Sequence, residues 1–197
     1  METLKELFAE TLKDVYFAEN AILKALPKMA QKASSEELKE AFTEHAEETQ
    51  EHVKRLVAVF KIIGEKAEGK ECPALKGLVQ ETEELMSEAS NADVLDAGLI
   101  GCAQAVEHYE MARYGTLCAW GEQLELDDAV ELLEETLEEE KATDAKLTEL
   151  AMSVINEEAD DEKGNKEDDD EDDEDDDSAK NKDDKDDDAK KSRSRKR

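Results

Sequence analysis

Three glutamates, Glu19, Glu110 and Glu140, stand where a spacing of alternating four and three residues calls for apolar side chains, and His52 stands at a fourth such place. Apolar residues at that spacing form the buried stripe of an amphipathic helix, so these polar side chains are headed for a core. An ionised carboxylate there carries a penalty of several kcal/mol even after relaxation. Three together need a cation, a shared proton or a hydrogen-bonded network, and a divalent metal is the most compact of these. Carboxylate oxygens with an imidazole nitrogen suit iron or manganese. Glu48 and Glu139 lie beside the stripe, and Glu107 one turn before Glu110, as further ligands in reach. The candidate metal set is Glu19, Glu48, His52, Glu107, Glu110, Glu139 and Glu140, with iron or manganese as the expected ion. No residue is singled out as catalytic.

The elements that position these residues are written as a duplication. Adding 91 to a residue number carries 7–63 onto 98–154 without a gap. Glu19 then meets Glu110 and Glu48 meets Glu139, while Phe8, Leu12, Val15, Ile22, Leu26 and Met29 meet Leu99, Ala103, Val106, Arg113, Leu117 and Trp120. The first stripe predicts one long helix from Leu4 to Lys32, with Pro27 able to kink its last turn. Ser34 and Glu37 form a capping box that opens the second helix, whose stripe runs Leu38, Phe42, His45, Thr49, His52, Leu56, Val59, Ile63 and stops at Gly64. So short a turn makes the two helices antiparallel neighbours. A polar linker and a shorter amphipathic helix, Ala74 to about Ala89, follow. Asn91 is placed to cap the third helix. A turn between Gly121 and Asp128 then leads into the fourth, with the stripe Ala129, Leu133, Thr136, Glu140, Thr143, Leu147, Leu150 and Val154.

Two antiparallel hairpins joined by one long crossover predict an all-α, ferritin-like four-helix bundle with a short extra helix in the crossover. Counting back from the turns, Glu19 lies level with Thr49, and Glu110 with Glu140. The duplication brings both levels into the middle of the bundle, with His52 and Thr143 one turn further along.

Net charge is −30, from 15 basic and 35 acidic residues up to Asn156, and 11 basic and 21 acidic beyond it. Such a field attracts metal cations and basic partners and repels nucleic acid and anionic membrane. No apolar run is long enough for a membrane span or an export signal. The three cysteines, Cys72, Cys102 and Cys118, an odd number without CxxC spacing, read as reduced thiols of a cytoplasmic protein. The expected division is a bundle over 1–156 and a disordered acidic tail over 157–197, which has no apolar residue larger than alanine to offset the entropy of ordering. Its basic tip, Lys190 to Arg197, is the one place suited to nucleic acid; the acidic run before it would concentrate cations near the bundle.

Four runs carry a family resemblance: Leu12-Lys-Asp-Val-Tyr-Phe-Ala-Glu-Asn20, His45-Ala-Glu-Glu-Thr49, Val106-Glu-His-Tyr-Glu-Met-Ala-Arg-Tyr-Gly-Thr116 and Thr136-Leu-Glu-Glu-Glu-Lys141. In them the chain resembles the YciF/YciE-like stress proteins, a ferritin-like family of unknown function. The resemblance implies a rubrerythrin-like helical fold, a homodimer and a stress-associated role. The wider superfamily sets one glutamate on each of two helices and a Glu-x-x-His pair on each of the other two. Glu19 and Glu110 match the single glutamates. The first pair reads Thr49-x-x-His52 and the second Glu140-x-x-Thr143, so each has lost half its ligands, and Glu48, Glu139 and Glu107 are the available replacements.

Two functions remain open. One is a metal-dependent redox protein consuming oxygen, peroxide or ferrous iron. The other is a non-enzymatic dimeric stress protein whose site has become a metal-free, salt-bridged core, a role that Arg113, on the stripe one turn from Glu110, would serve. His45 reads as a hydrogen-bonded core histidine one layer out, His108 as superficial, and Tyr16, Tyr109 and Tyr114 as aromatic packing beside the middle layer.

Overall fold

The computed structural model describes residues 1–160. Helices α1 (Leu4–Lys32) and α2 (Glu36–Ile62) form one antiparallel hairpin, α3 (Pro73–Glu88) lies in the crossover, and α4 (Ala92–Gln123) and α5 (Asp127–Leu150) form the second hairpin. A π-helical turn, Ala151–Ile155, leads into α6 (Asn156–Asp160). Each long helix packs mainly on its hairpin partner, α1 meets α4 and α2 meets α5 across the bundle, and α3 lies on α4. This is the ferritin-like four-helix bundle. None of the described helices is long and apolar enough to cross a membrane, and the acidic run and basic tip lie outside the described residues.

Local chemistry sets the helix ends. Thr3 caps α1, its hydroxyl accepting from the Glu6 N–H at 3.2 Å. α1 continues through Pro27, which sits on the exposed face. α2 is capped by Ser35, one residue later than expected: Ser35 Oγ accepts from the Leu38 N–H at 3.3 Å and donates to Glu37 Oε2 at 3.0 Å. The N–H groups of Ser34 and Ser35 point instead to the other hairpin, where the buried Asp96 carboxylate of α4 accepts them at 2.8 and 2.7 Å. Gly64, at φ 76°, ends α2 in the left-handed region that a residue without Cβ enters freely. At Gly121 a Cβ would come within 2.6 Å of Val130 Cγ2, so the missing side chain is what lets α4 and α5 close together at their turn.

The core is split in two along the bundle axis. Phe8, Leu12, Val15, Leu56, Val59, Phe60, Leu117 and Leu133 fill one end; Ile22, Leu26, Met29, Leu38, Phe42, Leu75, Leu99 and Leu147 fill the other. Each fully buried aliphatic or phenyl side chain contributes about 1.5–3 kcal/mol relative to exposure. Together they hold closed a middle layer that would not assemble on its own.

The duplication misplaces part of α4. Its buried row is Leu99, Ala103, Glu107, Glu110, Tyr114, Leu117 and Gly121, with Val106, Arg113 and Trp120 at its flanks. The helix is turned so that a tyrosine with a hydrogen-bond partner enters the core in place of a guanidinium. Arg113 lies instead over the ring of Tyr109, 5.2 Å from its centroid.

Candidate metal centre

The middle layer is built by all four long helices. Glu19 comes from α1, His45 and His52 from α2, Glu107 and Glu110 from α4, and Glu140 from α5; His45 is 4% exposed and the other five 1% or less. One ligand atom from each of Glu19, His52 and Glu140 lies within 4.8 Å of the others. The same holds for His45, Glu107, Glu110 and Glu140, so Glu140 is common to both groups. His52 Nδ1 is 3.6 Å from Glu19 Oε1 and 3.2 Å from Glu140 Oε1, and His45 Nε2 is 3.2 Å from Glu107 Oε1. These are ion-pair distances without hydrogen-bond alignment. Glu19 Oε2, His45 Nε2, His52 Nδ1, Glu107 Oε2 and both carboxylate oxygens of Glu110 and Glu140 have no hydrogen-bond partner. The lone pairs converge on shared space rather than on one another.

The outward-facing nitrogen of each histidine meets another group. His52 Nε2 lies 2.9 Å from Glu139 Oε2, and Glu139 is in turn clamped by Arg55, Nη2 to Oε1 at 2.9 Å. His45 Nδ1 faces Thr143 Oγ1 at 3.5 Å and Glu48 Oε2 at 3.7 Å. A carboxylate behind the imidazole fixes the ring and raises its basicity, as around metal-bound histidines generally. Tyr114 donates its hydroxyl to Glu19 Oε1.

Electrostatics follow from burial and crowding. Burial pushes the Glu110 carboxyl well above the usual carboxylate range, and the charges of Glu19, Glu140 and Glu107 add to it. Glu19 is raised by burial and by Glu140, against His52; Glu140 is raised by burial, again against His52. Burial alone would lower His52, but the Glu140 and Glu19 carboxylates outweigh it and hold the imidazole at about 10. His45 is likewise raised despite burial, by Glu107 and Glu48. Glu139 is lowered because Arg55 and His52 overcome its partial burial. Without a metal the cluster therefore takes up protons, and a divalent cation would compete with them for the same atoms.

Of the residues singled out from sequence, Glu19, His52, Glu107, Glu110 and Glu140 converge at the centre. Glu139 and Glu48 sit outside the two histidines, behind them. His45, read as a hydrogen-bonded core histidine one layer out, joins the converging atoms, and Tyr114, read as aromatic packing, hydrogen-bonds one of them. Arg55 carried no signal in the sequence beyond its place on α2, one turn after His52. His108 is exposed, its Nε2 3.4 Å from Asp144; Tyr16 packs edge-on to Phe60, and Tyr109 pairs with Cys72 Sγ at 3.1 Å. The two positions that depart from the Glu-x-x-His pattern are compensated across helices. In the count of donors, His45 offers an imidazole for the one absent at Thr143, and Glu107 a carboxylate for the one absent at Thr49. The donor set is again four carboxylates and two imidazoles, the complement of the ferritin-like di-metal proteins.

A crossover-linked bundle with such a layer defines a ferritin-like helical protein. The chain belongs to the family described as a domain of unknown function (DUF892), whose model matches residues 3–160. It is 44% identical to Protein YciF of Escherichia coli (strain K12) over 161 residues, 81% of this chain and 97% of that protein. The crystal structure of the E. coli stress protein YciF superposes with a TM-score of 0.76, covering 79% of this chain and 99% of that one. YcfI from Rhodopseudomonas palustris, for which a structural role is suggested, gives 0.74 at 48% identity, covering 75% and 94%.

Proposed function

We propose that this protein is a stress-response, ferritin-like protein that binds iron or manganese in its middle layer and uses it for redox chemistry with oxygen, peroxide or ferrous iron. The observation that carries this reading is the set of unpartnered ligand atoms converging from four helices in a layer closed at both ends by apolar side chains. The donor set fits the group: carboxylates and imidazoles suit iron and manganese, and a glutamate can shift between terminal and bridging attachment. Glu19 and His52 would hold one ion, His45, Glu107 and Glu110 a second, and Glu140 lies where it reaches both. The bound metal would supply one-electron chemistry toward oxygen, peroxide or a further ferrous ion. The chain's own residues orient and insulate: Arg55 and Glu139 fix the His52 ring, the Tyr114 hydroxyl fixes Glu19, and the two apolar clusters keep bulk water out. The stress role is supported by the likeness to the E. coli stress protein.

A second reading, a non-enzymatic stress protein with a metal-free, salt-bridged core, is favoured by the 3.2 Å approaches of His45 to Glu107 and His52 to Glu140, which suit imidazolium–carboxylate pairs. Metal analysis separates the two. Full-length protein and its His45→Ala/His52→Ala variant share the same acidic tail, so the difference in iron or manganese retained after desalting counts only core metal. A stoichiometric difference, with ferrous ion oxidised faster by the parent than in buffer, supports the metal reading. Equal metal content and no acceleration refute it.

A further inference from the structure

The two halves of the metal layer are not equally closed. Behind His52, the Arg55 guanidinium, its side chain 16% exposed, bridges Glu139 and Glu135 and seals the helix interface. Behind His45 there is instead a cavity of about 100 Å³ between α2, α4 and α5. Its inner wall is His45 and Glu107, both buried and both with an unpartnered ligand atom. Three alanines, Ala41, Ala103 and Ala142, one from each helix, leave that space unfilled. At the surface, Glu44 pairs with Lys146 across the opening, each side chain about half exposed. Glu48 lines the same cavity, its side chain 49% exposed and its Oε2 3.7 Å from His45 Nδ1, the ring nitrogen opposite the unpartnered Nε2.

We propose that this cavity is the inlet for the divalent cation and that Glu48 is its transfer ligand, taking the ion from solvent and passing it to His45 and Glu107. The proposal rests on the metal-binding reading above. Glu48 suits the role by position: it lines the cavity with the Glu44–Lys146 pair, and it is the exposed carboxylate that comes up to the buried His45 ring. Its side chain is exposed enough to meet a hydrated ion. The Glu44–Lys146 pair partly covers the opening, and an arriving cation competes with Lys146 for Glu44. A cation entering here reaches the His45 half first and the His52 half through Glu140.

The test is the rate at which metal-free, full-length protein takes up cobalt(II), followed by stopped-flow visible absorbance as the difference from His45→Ala/His52→Ala protein. Glu48→Gln is expected to slow uptake about tenfold, the lower end of what a focused negative field adds to an on-rate, with unchanged final stoichiometry. Glu51→Gln removes the same charge from an exposed position on α2 and should load at the parent's rate. Lys146→Met should load faster than the parent. Uptake by Glu48→Gln at the parent's rate, or equal slowing by Glu51→Gln, overturns the inlet while leaving the metal reading intact. Reduced stoichiometry in Glu48→Gln makes Glu48 a permanent ligand and overturns its transfer role. Absence of any core signal in the parent overturns both readings.

Discussion

Glu110→Gln should stabilise the metal-free protein and destabilise the metal-bound one. Both Glu110 oxygens lack a partner at 1% exposure, and Glu19, Glu107 and Glu140 crowd around them. Buried without a partner, this carboxyl costs the metal-free fold several kcal/mol, whether as an unpaired charge or through the proton it takes up to avoid one. The isosteric amide escapes that but leaves its own polar atoms unsatisfied, at about 1–3 kcal/mol. The net gain is about 1–3 kcal/mol, which for a chain of this size raises Tm by roughly 2–12 °C. Metal at a thousandfold excess over its Kd would stabilise the parent by about 4 kcal/mol, and a variant lacking one ligand would lose much of that. The order of the two melting temperatures therefore reverses between chelator and metal. Thermal unfolding of both proteins in both conditions measures this directly. If the variant melts no higher than the parent in chelator, the Glu110 oxygens are satisfied in solution and the argument from orphaned atoms fails. If metal raises both proteins equally, Glu110 is not a ligand.

The metal-free protein should also lose stability as pH rises from 6.5 to about 10. His52 keeps its proton to about 10 when folded against 6.5 unfolded, so the folded state binds more protons in that window, and the contribution, fully present below it, is lost across it. The raised carboxyls of Glu19, Glu110 and Glu140 act in the same direction above 4.5. His52→Gln should flatten the slope of Tm against pH, and a slope that persists unchanged would assign it to other groups. Asp96→Ala removes the acceptor of the Ser34 and Ser35 N–H groups. A loss of about 3 kcal/mol is expected from two charge-assisted hydrogen bonds, measured as a lower midpoint in urea at unchanged slope.

Helix positions and hairpin order were legible because Leu12, Val15, Leu56, Leu117 and Leu133 keep a regular period and the turns carry Asn91 and Gly64. The middle layer was legible as far as polar residues interrupted that period at Glu19, His52, Glu110 and Glu140. What failed was helix rotation. Val106 and Glu107 are neighbours on α4, as are Arg113 and Tyr114, and periodicity admits either member of each pair to the core. The choice was made by chemistry between helices, a tyrosine hydroxyl finding Glu19, which the linear spacing does not contain. His45 is buried as expected, but its level in the bundle was not legible. Level counting placed it one layer out, but a histidine side chain reaches along its helix, and Glu107 and Glu140 come up to meet it. The cap falls on Ser35, whose Oγ accepts from the Leu38 N–H, while Asp96, distant in sequence, holds the N–H groups of both serines.

The buried side chains of the middle layer are divided unevenly between the two copies of the hairpin. The first brings Glu19, His45 and His52; the second brings Glu107, Glu110 and Glu140 and no imidazole. Two second hairpins docked on each other would set six carboxylates face to face, and two first hairpins would set four imidazoles against two. Only the unlike pairing balances. The two halves are thus matched to each other rather than to their own kind, and the balance is the same whether the unlike hairpin comes from the same chain or from a second copy.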